Sequence, residues 1–269
     1  MATNGGGAPQ SSLRNRKRVD SLSADELAAL RGAFGAVYAI DDDRGYAHHA
    51  GIHGLPLPIY CKHHDPLFLS WHRAYLYLFE QALLDQVPGV ALPWWDYYGA
   101  GGPAIPDAYA QEEAGGAPNP LAHGPIKGIP RDQWDRIEGG PMPAFTSRAP
   151  GELAPFPAEE LVQRALDAPT LADFGNFIES VHDQVHVFVG GTMADIPIAA
   201  FDPVFWAHHC MIDRLWYLWQ LRHPGADPDP SMLGTALPPF PMTVADTISV
   251  NALGYEYAAA EVSMPAGVR

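Results

Sequence analysis

Basic residues are scarce in this sequence: 16 lysines and arginines stand against 31 aspartates and glutamates, a formal net charge of −15. So acidic a chain repels polyanions, which excludes nucleic acid and anionic membrane as expected partners. Cysteine is scarcer still. Cys61 and Cys210, in 269 residues, build no disulfide framework. No apolar run reaches membrane-spanning length, and Met1 to Gly7 is small and polar, unlike a secretory leader. The chain therefore reads as soluble and intracellular, cytoplasmic by default. Also missing are a dinucleotide glycine fingerprint, a phosphate-binding loop, an alternation of strands with helices and an internal repeat of fixed period. Those absences remove most doubly wound nucleotide enzymes and the repeat architectures.

Glycine and proline, by contrast, are plentiful at 26 and 27 residues. They break long helices, so long ordered loops should surround a smaller helical core within one large domain. Ser21 to Glu26 is a helix-start signal before Leu27, Leu30, Phe34 and Tyr38, predicting a helix from about Ser23 to Tyr38. The run LFLSWHRAYLYLFEQALL predicts another from Pro66 to Leu84, with Leu69, His72, Leu76 and Phe79 on its apolar face. Further helices are expected at Ala158–Ala168, Thr170–Val187 and Phe205–Arg222. Gly99 to Pro157 reads as largely irregular, although Trp94, Trp95 and Trp134 argue that parts of the middle region pack back on the core. The short basic run Arg14, Arg16, Lys17, Arg18 reads as a solvated segment before the first helix.

The 12 histidines are unevenly placed. His48, His49, His53, His63, His64 and His72 fall in one stretch, and His182, His186, His208 and His209 in another. A lone histidine in a core helix is ordinarily a hydrogen-bonded structural residue. Several on bulky apolar helices are hard to bury without a metal, because each neutral ring leaves a polar nitrogen to satisfy. His182 and His186 are one helical turn apart and can face one ion. Residues 183 and 184 are Asp and Gln, so the zinc-protease HExxH motif is absent, and Glu179-Ser-Val-His182 is the lone Glu-x-x-His, which fits a di-iron site poorly. His208 or His209 can complete a set with His182 and His186, while His53, His63 and His72 can form a second. Two all-imidazole sites favour borderline transition metals, copper first by the affinity order.

IHGLPLPIYCKHHDPLFLSWHRAYLYLFE and IESVHDQVHVFVGG followed by FDPVFWAHHCMIDRLW, joined by PWWD, resemble the type-3 copper family of tyrosinases, catechol oxidases and molluscan haemocyanins. RKRV and GYEY resemble the family's core boundaries, so the resemblance runs from about Ser12 to Tyr257 within a single domain, 1–269. It implies a mainly α fold: a tyrosinase-like four-helix core holding a binuclear copper site, with extensive irregular loops. Two copper ions are implied, the first held by His53, His63 and His72, the second by His182, His186 and His209. Asp213, four residues beyond His209, is expected to support the metal-facing side of that helix. Cys61-Lys62-His63 resembles the arrangement in which a cysteine sulfur is joined to the ring of a copper ligand. Cys210, His48, His49, His64, His123, His208 and His223 read as packing, surface or supporting residues.

The resemblance further implies oxidation of o-diphenols to o-quinones with O2, which is reduced to water, the partners being a phenolic small molecule and, in some members, a copper-loading protein. Glu179 fits the glutamate that orients a water as base, whereas Asp183 stands where the family usually presents asparagine. Diphenol oxidation is therefore expected to exceed monophenol hydroxylation. Met193, Ile196 and Ile198, after VGG, are candidates for a substrate gate. The chain ends about a dozen residues after GYEY, too short for a plugging domain. A haemocyanin-like reversible oxygen binder is the alternative reading.

Overall fold

The segments with helical apolar spacing do fold as helices in a computed structural model of the chain, which describes residues 13–98, 103–226 and 228–257. The outer ends of the expected 1–269 domain, Ser12 among them, and the start of the irregular middle region at Gly99 lie outside those residues. A short strand β1 (Arg14–Arg16) leads to α1 (Ala24–Tyr38). Ser23 caps α1 as its sequence signal predicts: its side chain accepts the Glu26 N–H while the Glu26 carboxylate accepts the Ser23 N–H. There follow α2 (Tyr46–His53), α3 (Phe68–Gln86), α4 (Asp107–Ala110), a hairpin of β2 (Glu113–Ala114) and β3 (Ala117–Pro118), and α5 (Arg131–Ile137). The chain then forms α6 (Glu159–Leu166), α7 (Leu171–Val189), α8 (Val204–Arg222) and β4 (Tyr255–Tyr257), which returns to pair in parallel with β1. The fold is mainly α, as expected. Helix α2 was not foreseen, because its eight residues, YAHHAGIH, are too few to show an apolar period.

Helix α3 packs on α1 and α8, and α7 packs on α8 and α6. Phe79 of α3 stacks on Trp206 of α8 with ring centroids 3.7 Å apart, fixing the approach of those two helices. Trp94, Trp95 and Trp134 are all buried, so the middle region does pack back on the core. Each such side chain contributes about 1.5–3 kcal/mol or more through burial. No helix among the described residues is long and apolar enough to cross a membrane.

The basic run departs from expectation. Arg16 is fully buried, its guanidinium bonding Glu80 of α3 through Nε (3.0 Å) and Nη2 (3.1 Å) and Asp213 of α8 through Nη1 (3.3 Å). Arg73 also bonds Asp213, and the hydroxyls of Tyr255 and Tyr257 donate to the same carboxylate. Two buried carboxylates require cations, and the segment before α1 supplies one of them. The same contacts correct the expectation for Asp213, whose oxygens are committed to arginines and tyrosines rather than to a histidine. Burial pushes the Asp213 carboxyl up, but Arg73 and Arg16 outweigh it and hold the group below its usual range. Asp213→Ala, which removes the carboxylate shared by Arg73 and Arg16 and leaves Arg73 with no anionic partner, should lower the unfolding free energy by about 3–5 kcal/mol in denaturant titration. A loss below about 1 kcal/mol, the scale of an exposed pair, would show that the network contributes little.

Candidate metal centre

Four helices and one loop bring the histidines together. His53 ends α2, His72 lies in the first turns of α3, His182 and His186 share a face of α7, His209 lies on α8, and His63 comes from the loop before α3. The rings of His53, His63 and His72 form one triad, with centroids 5.4, 5.5 and 5.9 Å apart. His182, His186 and His209 form another at 4.5, 4.8 and 5.6 Å. The triads adjoin: His72 stacks on His209 at 4.6 Å and His63 lies 5.3 Å from His182. All six histidines singled out in the sequence thus meet in one place.

Their outer nitrogens decide their chemistry. The Nδ1 atoms of His53, His72 and His186 face the carbonyl oxygens of Ile196 (3.2 Å), Phe68 (2.9 Å) and Met193 (2.6 Å), and that of His182 faces the Asp183 carboxylate (3.0 Å). Such oxygens only accept, so Nδ1 carries the proton and Nε2 offers its lone pair inward. The Nε2 atoms of His182 and His186 converge on that of His209 at 3.3 and 3.4 Å. Nitrogens about 2.0 Å from a shared ion stand roughly 3.4 Å apart in a trigonal set, so this spacing fits a metal. Among the described residues, Nε2 of His53, His63 and His72 is buried without a hydrogen-bond partner. Lone pairs left thus are costly until an electron-pair acceptor joins them. Burial keeps all six rings neutral by pushing their pKa values down, those of His63 and His186 to about 4. Neutral imidazoles without carboxylate or thiolate suit copper better than calcium or magnesium.

The remaining candidates sit close by. Cys61 Sγ lies 3.7 Å from His63 Nδ1, and burial pushes its thiol up to about 11. Glu179 is buried one turn before His182 and accepts the His64 N–H at Oε1, while Asp183 is half-exposed and committed through Oδ1 to His182. That anchoring role for Asp183 had not been assigned from the sequence. Of the gate candidates Ile196 is exposed, whereas Met193 and Ile198 are buried. Their loop serves the site through backbone carbonyls, which no side-chain motif records. Its signal was Gly190-Gly191, at φ 66° and 52°, where a Cβ would strike the backbone of residues 147–149. A cavity of about 520 Å³ is walled in part by Phe68, Leu69, Trp216 and Glu179; none of the six histidines lines it, and the Phe68 ring lies 5.0 Å from His182.

Two adjoining three-imidazole sites, held among helices, define a protein of the binuclear metal class. A family model described as the common central domain of tyrosinase matches residues 43–222. The chain is 34% identical over 230 residues to Hemocyanin 1 of Megathura crenulata, covering 78% of this chain and 6% of that one. It is 35% identical over 186 residues to the tyrosinase of Streptomyces glaucescens, covering 61% of this chain and 66% of the other. It thus spans a small part of the haemocyanin and just under two thirds of the tyrosinase. A structure of latent and active mushroom tyrosinase shares the fold, with a TM-score of 0.76 at 24% identity over 93% of this chain and 90% of that one. The chain belongs to the type-3 copper family of tyrosinases and haemocyanins, whose members bind two copper ions.

Glu138, just beyond α5, adjoins Asp195, which lies between Met193 and Ile196 on the carbonyl-bearing loop. Burial raises the Glu138 carboxyl to about 7, and Asp195 adds to it. The folded chain therefore holds a proton that an unfolded one releases above 4.5, so the stabilisation from this pair is fully present below 4.5 and is lost as pH rises through about 7. Hydrogen exchange at residues 191–198 should show protection falling between about pH 6 and 8 beyond the intrinsic pH effect, and Glu138→Gln should flatten that dependence. An identical dependence in the variant would remove Glu138 as its cause.

Proposed function

We propose that the chain is a binuclear copper oxidase that converts o-diphenols to o-quinones with O2, and hydroxylates monophenols more slowly. The observation that carries the reading is the adjoining pair of three-imidazole sets, with the buried Glu179 carboxyl one turn before His182. His53, His63 and His72 hold one copper, and His182, His186 and His209 the other. The copper pair, when bound, supplies O2 binding and electron exchange with the phenol.

The chain's own residues orient and deprotonate. The carbonyls of Met193, Ile196 and Phe68 fix the imidazoles of His186, His53 and His72. Glu179 keeps Oε2 for a water that takes the phenolic proton, since Oε1 is occupied by the His64 N–H. Burial raises the Glu179 carboxyl, the His64 contacts oppose this and Asp183 adds to it, so Glu179 is readily protonated. Asp183 has no N–H to give that water and is committed to His182, which disfavours the monophenol step. Of the gate candidates, exposed Ile196 is the one free to meet a substrate ring, since Met193 and Ile198 are buried. Similarity to Hemocyanin 1 supports a second reading, reversible oxygen binding without turnover.

Copper-loaded protein given catechol in air should form quinone, and metal-free protein should not. Reversible oxygenation without quinone would establish the carrier reading instead. With copper content held equal, Asp183→Asn should raise the ratio of monophenol to diphenol initial rates by about tenfold or more. Lag-free, fast monophenol turnover by the wild type would overturn the assigned preference.

The approach of Cys61 Sγ to the His63 ring supports a thioether between them. Its formation would join sulfur to a ring carbon and release the thiol and ring hydrogens as two protons and two electrons, with O2 as the two-electron acceptor. Intact mass after copper and air exposure should show loss of two hydrogens that survives reductant, mapped to residues 61 and 63. Complete alkylation of Cys61 under denaturing, reducing conditions would exclude the bond.

A further inference from the structure

A neutral imidazole has one N–H and one lone pair to place, and His208 places only half of them within either triad's account. It is fully buried on α8, one residue before His209. Its Nδ1 lies 2.5 Å from the Tyr97 hydroxyl, which also lies 3.2 Å from the His208 carbonyl oxygen. Nε2 is buried and has no hydrogen-bond partner among the described residues. The carbonyl can only accept, and Tyr97 has one proton to give. When Tyr97 gives it to the carbonyl, the hydroxyl oxygen receives Nδ1–H and Nε2 is left with its lone pair. The opposite arrangement buries an Nε2–H without an acceptor and sets two oxygens against each other. The network thus selects the tautomer whose free nitrogen binds a metal rather than donates a hydrogen bond.

The position matches that electronic state. The His208 ring lies 5.1 Å from His182, 4.8 Å from His186 and 4.9 Å from His209. One ring nitrogen of each of these four histidines lies within 4.8 Å of the others. The Nε2 atoms of His182 and His186 already lie 3.3 and 3.4 Å from that of His209, so His208 adjoins a set of three that converges without it. A histidine that serves packing alone is ordinarily hydrogen-bonded at both nitrogens.

We propose that His208 is an auxiliary metal ligand of the second triad, with Tyr97 as its positioning residue. Through Nε2 it captures Cu(I) before His182, His186 and His209 have all closed on the ion, and recaptures one that slips from them. The inference rests on reading the second triad as a copper site. It assigns to this histidine a part in loading and retention rather than in the finished coordination set.

The test follows transfer of Cu(I) from its coloured bicinchoninate complex to metal-free protein, and the reverse with excess chelator. Wild type should take up two ions per chain. His208→Phe should also reach two, but load the later ion about tenfold more slowly and release it correspondingly faster. Tyr97→Phe, which leaves α8 untouched, should slow uptake by a smaller factor. Metal-free His208→Phe should melt no lower than wild type, because phenylalanine fills the space, removes the unsatisfied nitrogen and leaves Tyr97 its carbonyl acceptor. His208→Gln serves the same comparison if the phenylalanine variant fails to fold. Wild-type transfer rates in the His208 variant would overturn the proposal, as would slow transfer accompanied by a lower metal-free melting temperature, the mark of a structural residue. Failure of wild type to bind two ions would instead refute the copper reading of the triads, and the role of His208 with it.

Discussion

Imidazole nitrogens with nowhere to go are the constraint on which this structure turns. A helical core of this kind excludes water, and each buried lone pair that meets no donor raises the energy of the folded state. Concentrating them in one place makes sense only if a single guest satisfies them together. The remaining architecture points them there: Nδ1 is tied to a helix carbonyl for His72, to loop carbonyls for His53 and His186, and to a carboxylate for His182. These outward bonds are as necessary as the inward lone pairs, because a ring that rotates or changes tautomer presents N–H where an electron pair is needed.

The loop after α7 shows how irregular backbone acquires that role. Gly190 and Gly191 turn the chain sharply against residues 147–149, the next residues form a short turn, and the Leu55 N–H bonds the Pro197 carbonyl at 2.8 Å. One segment therefore reaches both triads, through Met193 to His186 and through Ile196 to His53. The buried side chains of Met193 and Ile198 pack the loop in place, while its carbonyls orient the imidazoles. The exposed Ile196 can serve selectivity while its own backbone serves the metal site.

Much of this was legible beforehand, and the reasons differ from residue to residue. His182 and His186 announce themselves by helical spacing, and His72 by the apolar run around it. The capping box at Ser23 is a local signal read by local contacts, which is why that boundary was found. Helix α2 was too short for periodicity to register. Arg16 looked like solvent-facing charge because its partners, Glu80 and Asp213, lie 64 and 197 residues away. Asp213 shares a helix with His209 at a spacing that suggested support, yet the tyrosines and arginines that claim it come from elsewhere in the chain. Carbonyl acceptors leave no trace in side-chain identity at all.

The buried arginine cluster bears on the order in which the molecule can assemble. Arg16 reaches Tyr257 across 241 residues, and Asp213 receives hydroxyl protons from Tyr255 and Tyr257 on the last described strand. Contacts this distant in sequence carry the greatest loop-closure cost and form late. As the chain emerges from the ribosome, α3 is made early with Glu80 and Arg73 in place, but the charged end of its packing against α8 lacks its tyrosines until the final strand appears. The two halves of the metal centre ride on those same helices. The packing of α3 against α8, which carry one histidine of each triad, is thus complete only once Tyr255 and Tyr257 are in place.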